Sequence, residues 1–437
     1  MQRSVRAGKS KKPLNIIAAA HGEKQPSAVL TFTSRWYREI LLVVLISWLI
    51  GHLTITEIHA VGTDFQVFYD AAVRLQTGKP LYADGEKYIY PPLCALLVVP
   101  LLSLHNPLCA MKAWAVFETG CLCLGAWLTA SCLPRRFLIT GFCVSLLLFC
   151  RNGHADCELM MGNCNFVLLL CVASLIYATF RRSDRAFIFS VIMGTLFKQW
   201  FVVFSVVFLL QKKYRQFFSC AVLSCAALAA SFLVLKDWRQ IACLLKWMNA
   251  YCSRKWIADL PLQSFYGFAD LHFRQNQIVH PWICSPPIFW LVWLGGVAVV
   301  IAGLIWVFRT KYCSDDVLPV CIFTVSIMLV MTISHGGYVC ICLPVLSYFL
   351  LSPAKFPAHA RLMAVFLYLA ISRGYGAVDP ARVHGLWIES IVVSSTFYWF
   401  FSLWATGMWI AYQTHHAASR GIRESVDMNK LVPATHG

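Results

Sequence analysis

Charged side chains are scarce in this chain: they make up 13% of its 437 residues, about half the share of an average soluble domain. That scarcity excludes an ordinary soluble enzyme. Acids are rarer still, with 20 Asp and Glu against 37 Lys and Arg, so an acid held at the edge of a lipid-suited chain is a functional-site candidate by default. The first apolar stretch does not arrive until about Ile40, which argues against a secretory signal peptide. No C-x-x-C and no His/Cys metal spacing is assigned, so no cofactor is expected and a divalent metal has no sequence support. Internal repeats are missing too, whereas a transporter or flippase built from inverted halves carries them.

What the chain has instead is apolar sequence, with 59% hydrophobic residues. Each membrane crossing takes roughly 20 apolar residues, which leaves room for about ten to twelve helices. The apolar runs fall at 40–56, 109–131, 137–150, 164–180, 186–210, 217–235, 288–308, 317–333, 338–351, 362–371 and 388–412. The expected fold is an all-α polytopic membrane protein. Residues 1–38 form a basic cytoplasmic tail, 39–412 a single transmembrane domain and 413–437 a second cytoplasmic tail. Most of the 19 cysteines lie inside apolar runs, where cysteine behaves as a small hydrophobe. Cys157, Cys243, Cys252 and Cys284 fall in connectors and can pair in an oxidising compartment.

The net charge of +17 sits in short connectors rather than along one helix face, so it reads as membrane topology and not as nucleic-acid binding. Arg135 and Arg136, and the basic stretches at 181–185, 212–215, 309–311 and 355–361, go to the cytoplasm with both tails. Residues 57–90, 151–163, 236–287, 334–337 and 372–387 then face the opposite side, and they hold nearly all the reactive side chains. Two places break the alternation. Residues 91–105 are too short to cross, and 186–210 must return to the side it left, which predicts two short helices broken near Lys198. Irregular backbone at membrane depth is tolerated where it lines an enclosed cavity, so both breaks point to a buried site.

Several segments then resemble glycosyltransferase family 87. GTDFQVFYDAA at 62–72, LQTGKPLY at 75–82 and YPPLCALLVVPLL at 90–102 look like that family's first outer segment. GNCNF at 162–166 is similar to its Gly-polar-x-Asn helix start, which places Asn165, and GTLFKQW at 194–200 to its Gly-x-x-x-x-Lys segment. KKYRQF at 212–217, LPLQSFYGF at 260–268, with Ser264, and SHGGYVCICLPVL at 334–346 follow in the family's order. The chain departs at Gln199, where the family usually has Pro, and at Cys164, where it has a more polar residue. The resemblance implies a GT-C type bundle in a bacterial plasma membrane, with the active site on the extracytoplasmic face. It also implies a polyprenyl-phosphate-linked sugar donor and a hexosyl, typically mannosyl, transfer to a glycolipid or glycan acceptor.

Asp64 is the residue this chemistry singles out. An inverting transfer needs one carboxylate to take the acceptor's proton, and Phe65, Phe68 and Tyr69 follow Asp64 as a shield from water. The alternative is a helix cap, with Thr63 or Asp64 preceding FQVFYDAAVRLQ. Asp70 lies about 600° further round a helix and has Arg74 four residues on as an ion-pair partner, so it reads as structural. A departing phosphate needs fixed positive charge. Lys198 is the first choice, against snorkelling to the interface. Arg254 and Lys255, His335 and Arg373 follow as possible phosphate or sugar contacts, against roles in an interfacial belt or a helix cap. Tyr88 and Tyr90 read as an aromatic rim. His154, Asp156 and Glu158 have a spacing compatible with weak metal binding but read first as a solvated loop. A transporter and a non-catalytic family member stand as alternatives.

Overall fold

A computed structural model describes residues 60–83, 87–150, 152–251, 264–275, 281–310, 316–332, 336–352, 358–371 and 394–431, with isolated positions before residue 60. Among the described residues every regular element is helical. Three helices among the described residues are long and apolar enough to cross a membrane, Pro107–Ala130, Tyr214–Val234 and Pro286–Arg309. The bent pair Arg135–Cys150 and Gly153–Met161, at 67°, makes a fourth if it is one span. Other apolar helices are 10–17 residues long. Large apolar side chains such as Val222 and Leu291 stand exposed on the long helices, as in an integral membrane protein, where lipid rather than water meets them.

The chain enters the described region through α1 (Thr63–Thr77), whose Phe65, Phe68, Ala71 and Ala72 form one buried stripe, the pattern of a helix lying on a core. Gly78, in the left-handed region, closes it by donating to the Arg74 and Leu75 carbonyls. Next come α2 (Pro92–Val98), with proline in its first turn, and a 3-10 turn over Val99–Leu104. This is the short helix expected after the double proline. Asn106 then caps α3 (Pro107–Ala130) by accepting from the Leu108 amide.

The middle of the molecule is α4 (Leu138–Cys150), α5 (Gly153–Met161) and α6 (Asn165–Phe180). α6 is buried on almost every face and packs against α3. The run at 186–210 is broken as expected: α7 (Asp184–Phe197) stops at Lys198, whose backbone is extended, and a 3-10 stretch over Gln199–Ser205 leads into α8 (Val206–Leu210). Beyond it lie α9 (Tyr214–Ser231), α10 (Arg239–Tyr251), α11 (Phe265–Phe273) and α12 (Pro286–Arg309). α13 (Leu318–Val330) and α14 (Val339–Leu351) are buried nearly all round, and α15 (Ala358–Ile371) and α16 (Ser395–Leu431) pack outside them. α16 runs well past residue 412, where the apolar pattern ends.

Candidate active site

The first turn of α1, the α5–α6 turn, the α7 break and the start of α14 converge on one cluster. Asp64 is half-buried in the first turn of α1. It is not the helix cap: the cap position is Gly62, and no side chain caps the helix. The carboxylate instead accepts from Nδ2 of Asn163 at 2.7 Å. Burial pushes the Asp64 carboxyl above its ordinary range, against the opposing pull of Lys198 and of the Asn163 hydrogen bond.

Asn163 is held in place by Gly162, which ends α5 in the left-handed region at φ 69° and donates to the Glu158 carbonyl. A Cβ at Gly162 would lie 2.6 Å from Cβ of Phe65 and 2.9 Å from Sδ of Met111, so only glycine fits there. Trp114 of α3 fastens the same turn, donating from Nε1 to the Gly162 carbonyl.

Lys198 occupies the break below α7 and is buried. Its Nζ donates to Oδ1 of Asn165 at 2.9 Å and to the Tyr338 hydroxyl at 3.5 Å. The ammonium also lies 4.6 Å from the Tyr338 ring centre and 5.6 Å from that of Tyr90, within cation–π range. Lys198 is therefore paired inside the protein and does not snorkel. Asn165 passes the interaction on, donating from Nδ2 to Oε2 of Glu158 at 2.6 Å. Gly337 closes the far side, so near that a Cβ would overlap Oε1 of Glu158.

The fold thus brings Asp64, Asn165, Lys198 and Tyr90 together, and the Tyr69 ring lies tilted against Phe65, 6.1 Å between centroids, on the same helix. Other expected residues have different surroundings. Tyr88 is buried rather than at a rim: its hydroxyl donates to the Pro91 carbonyl at 2.6 Å and accepts from the Ala95 amide at 3.1 Å, pinning the start of α2. Ser264 is buried and caps α11 by accepting from the Gly267 amide. Asp70 is exposed and accepts from Gln66. Arg254, Lys255, His335 and Arg373 lie outside the described residues.

The solvated-loop reading of His154, Asp156 and Glu158 is corrected. These residues form α5, capped by Asn152, with His154 and Glu158 buried and Asp156 half-buried. Sequence reasoning also passed over Asn163, Tyr338 and Glu118. Glu118 is fully buried on α3, and neither carboxylate oxygen has a hydrogen-bond partner among the described residues. An acid in the middle of an apolar run was the available signal. Among the described residues no group of three or more His, Cys, Asp or Glu side chains is placed to hold a metal ion.

The cluster combines a shielded acid with a buried ammonium, an arrangement suited to removing a proton while stabilising a developing anion. The model of glycosyltransferase family 87 matches residues 88–335. The chain belongs to glycosyltransferase family 87. In this family-87 glycosyltransferase Lys198, Glu158, Asn163, Asn165 and Tyr90 fall within the matched stretch, while Asp64 precedes it and Tyr338 follows it. No curated protein matches the chain.

Proposed function

We propose that this membrane glycosyltransferase moves a hexosyl group, mannosyl in the first instance, from a polyprenyl-phosphate-linked donor to a glycolipid or glycan acceptor, with inversion. The observation that carries this reading is the convergence of Asp64 and Lys198 on one turn, where Asn163 donates to Asp64 and Asn165, two residues on, accepts from Lys198. Asp64 takes the proton of the acceptor hydroxyl as its oxygen bonds to the anomeric carbon. The bond from that carbon to the phosphate oxygen breaks on the opposite face, and the electron pair leaves with the phosphate. Lys198 has three ammonium donors, of which Asn165 and Tyr338 take two, and the third meets the departing phosphate. Tyr90 offers its ring to the sugar or the isoprenoid.

On this reading the chain is one GT-C type catalytic domain of about ten to twelve spans, with the shorter and bent helices counted among them. The cluster faces the extracytoplasmic side of a bacterial plasma membrane, and both tails are cytoplasmic, as the basic connectors suggest. Arg254, Lys255, His335 and Arg373 are further contacts to donor or acceptor.

The test is transfer from radiolabelled polyprenyl-phosphate mannose in membranes containing the wild type or Asp64→Asn. Wild-type glycolipid formation that the substitution abolishes is the expected result. Undiminished transfer by Asp64→Asn removes Asp64 as the base. A wild type inactive with every polyprenyl-phosphate sugar supports a non-catalytic family member.

A further inference from the structure

At the opposite end of α7 from Lys198, about 20 Å away by the rise of a helix of that length, lies a cavity of about 520 Å³. Two ion pairs line it. Arg182 meets Asp316 at 3.0 Å, and Lys213 meets Asp184 at 2.8 Å. The rest of the lining is mixed, with Phe187, Phe208, Val307 and Phe308 alongside Thr179, Ser183, Gln211 and Thr310. None of these residues belongs to the cluster around Asp64.

The position of the cavity points to a lipid. Val307 and Phe308 are in the last turn of one candidate membrane span, Pro286–Arg309, and Lys213 immediately precedes another, Tyr214–Val234. Where spans end, apolar wall gives way to charged rim, and the headgroup region of a bilayer makes the same change over the same depth. The pairs themselves are open to exchange: the side chains of Arg182 and Asp316 are 82% and 53% exposed, and those of Lys213 and Asp184 are 42% and 36% exposed. Ion pairs of such exposure hold each other weakly.

The charge pattern selects the headgroup. A purely anionic group entering the cavity meets two carboxylates, and a purely cationic one meets a guanidinium and an ammonium. A zwitterion satisfies both signs. A primary ammonium can donate hydrogen bonds to carboxylates, which a quaternary one cannot, and a phosphodiester suits Arg and Lys together.

We propose that this cavity binds the phosphoethanolamine headgroup of a membrane lipid, with the ammonium between Asp184 and Asp316 and the phosphodiester between Arg182 and Lys213. The acyl chains leave the cavity along the apolar faces of the two adjoining candidate spans. The same chemistry is offered in solution by glycerophosphoethanolamine, so the source must be tested along with the headgroup.

The experiment is native mass spectrometry of the full chain released from nanodiscs holding equal amounts of phosphatidylethanolamine, phosphatidylglycerol and phosphatidylcholine with identical acyl chains. The expected result is several-fold enrichment of retained phosphatidylethanolamine, lost in the double variant Asp184→Asn, Asp316→Asn. Equal retention of the three lipids, preference for phosphatidylglycerol, or enrichment unchanged in the double variant overturns the proposal. Displacement of the lipid by millimolar glycerophosphoethanolamine overturns the lipid source, and its failure to compete supports it. Should the double variant not fold, a photoreactive phosphatidylethanolamine on the wild type decides: labelling at Arg182 to Asp184 and at Thr310 supports the site, and labelling confined to other segments overturns it.

Discussion

Asn163 donates from Nδ2 to Oδ2 of Asp64 at 2.7 Å, joining the turn after α5 to the first turn of α1 across 99 positions of sequence. A hydrogen bond to an ionised carboxylate favours the ionised form. Replacing Asn163 by alanine therefore raises the Asp64 pKa beyond the rise that burial already causes. The expected outcome is a pH–rate profile whose acidic limb moves to higher pH while the plateau above it is largely kept. A fall in the plateau with no movement of the limb would assign Asn163 a purely structural role.

The wild-type profile follows from the same group. Asp64 can accept a proton only when ionised, and its pKa lies above the ordinary carboxylate value of about 3.9. Transfer should decline as pH falls through that raised value and recover as pH rises through it. The kcat/KM profile of the transfer assay reports this limb for the free enzyme. A rate that stays flat into the ordinary carboxylate range contradicts a desolvated base.

Lys198 is held by Asn165 and Tyr338 inside the protein. Lys198→Met keeps much of the side-chain volume and removes the charge, and it should lower kcat by roughly 10²–10³-fold, the scale of losing one fixed charge-stabilising donor. Lys198→Arg should rescue little, because a planar fork does not reproduce a compact ammonium. Single-turnover rates with bound donor separate this loss from weaker donor binding.

Gly162 holds φ 69°, and a side chain there meets Phe65 and Met111. Gly162→Ala should cost about 1–2 kcal/mol from the backbone alone. The overlap with Phe65 adds to that cost and displaces the turn that carries Asn163. A lower thermal unfolding midpoint in detergent, with reduced transfer, is the expected pair of results.

Tyr88 serves the fold rather than the substrate. Tyr88→Phe leaves the Pro91 carbonyl and the Ala95 amide without the hydroxyl they share, at a cost of about 1–3 kcal/mol. Stability should fall while kcat stays at the wild-type level. A kcat loss at unchanged stability would return Tyr88 to the substrate surface.

Much of this was legible in the chain because hydropathy and local chemistry act at short range. The apolar runs gave most helix positions, and the double proline before α2 marked a short helix. The lysine in the run 186–210 located the break after α7, since an unpaired ammonium in lipid is costly. Asp64 and Lys198 stood out for that reason, and the ordered family segments named the chemistry. Glu158 did not stand out. With Asp156 and His154 beside it, it resembled a wet loop, and only the packing of Gly337 and Asn165 around it shows a buried carboxylate. Tyr338 and Asn163 lay inside family-like segments, but nothing local marked them as the partners of Lys198 and Asp64.

The sequence by itself determined an all-helical membrane chain, the place where a helix must break, and an acid and a lysine that needed partners. Which partners they found was decided only by tertiary structure. Asn163 reaches Asp64, and Asn165 links Lys198 to Glu158, through contacts between segments 99, 33 and 7 residues apart. Hydropathy records whether a residue prefers lipid or water; it holds no record of which polar group will meet which. In a buried site that choice fixes the energetics, because a polar group shut away from water is stable only when it finds a specific hydrogen-bond partner.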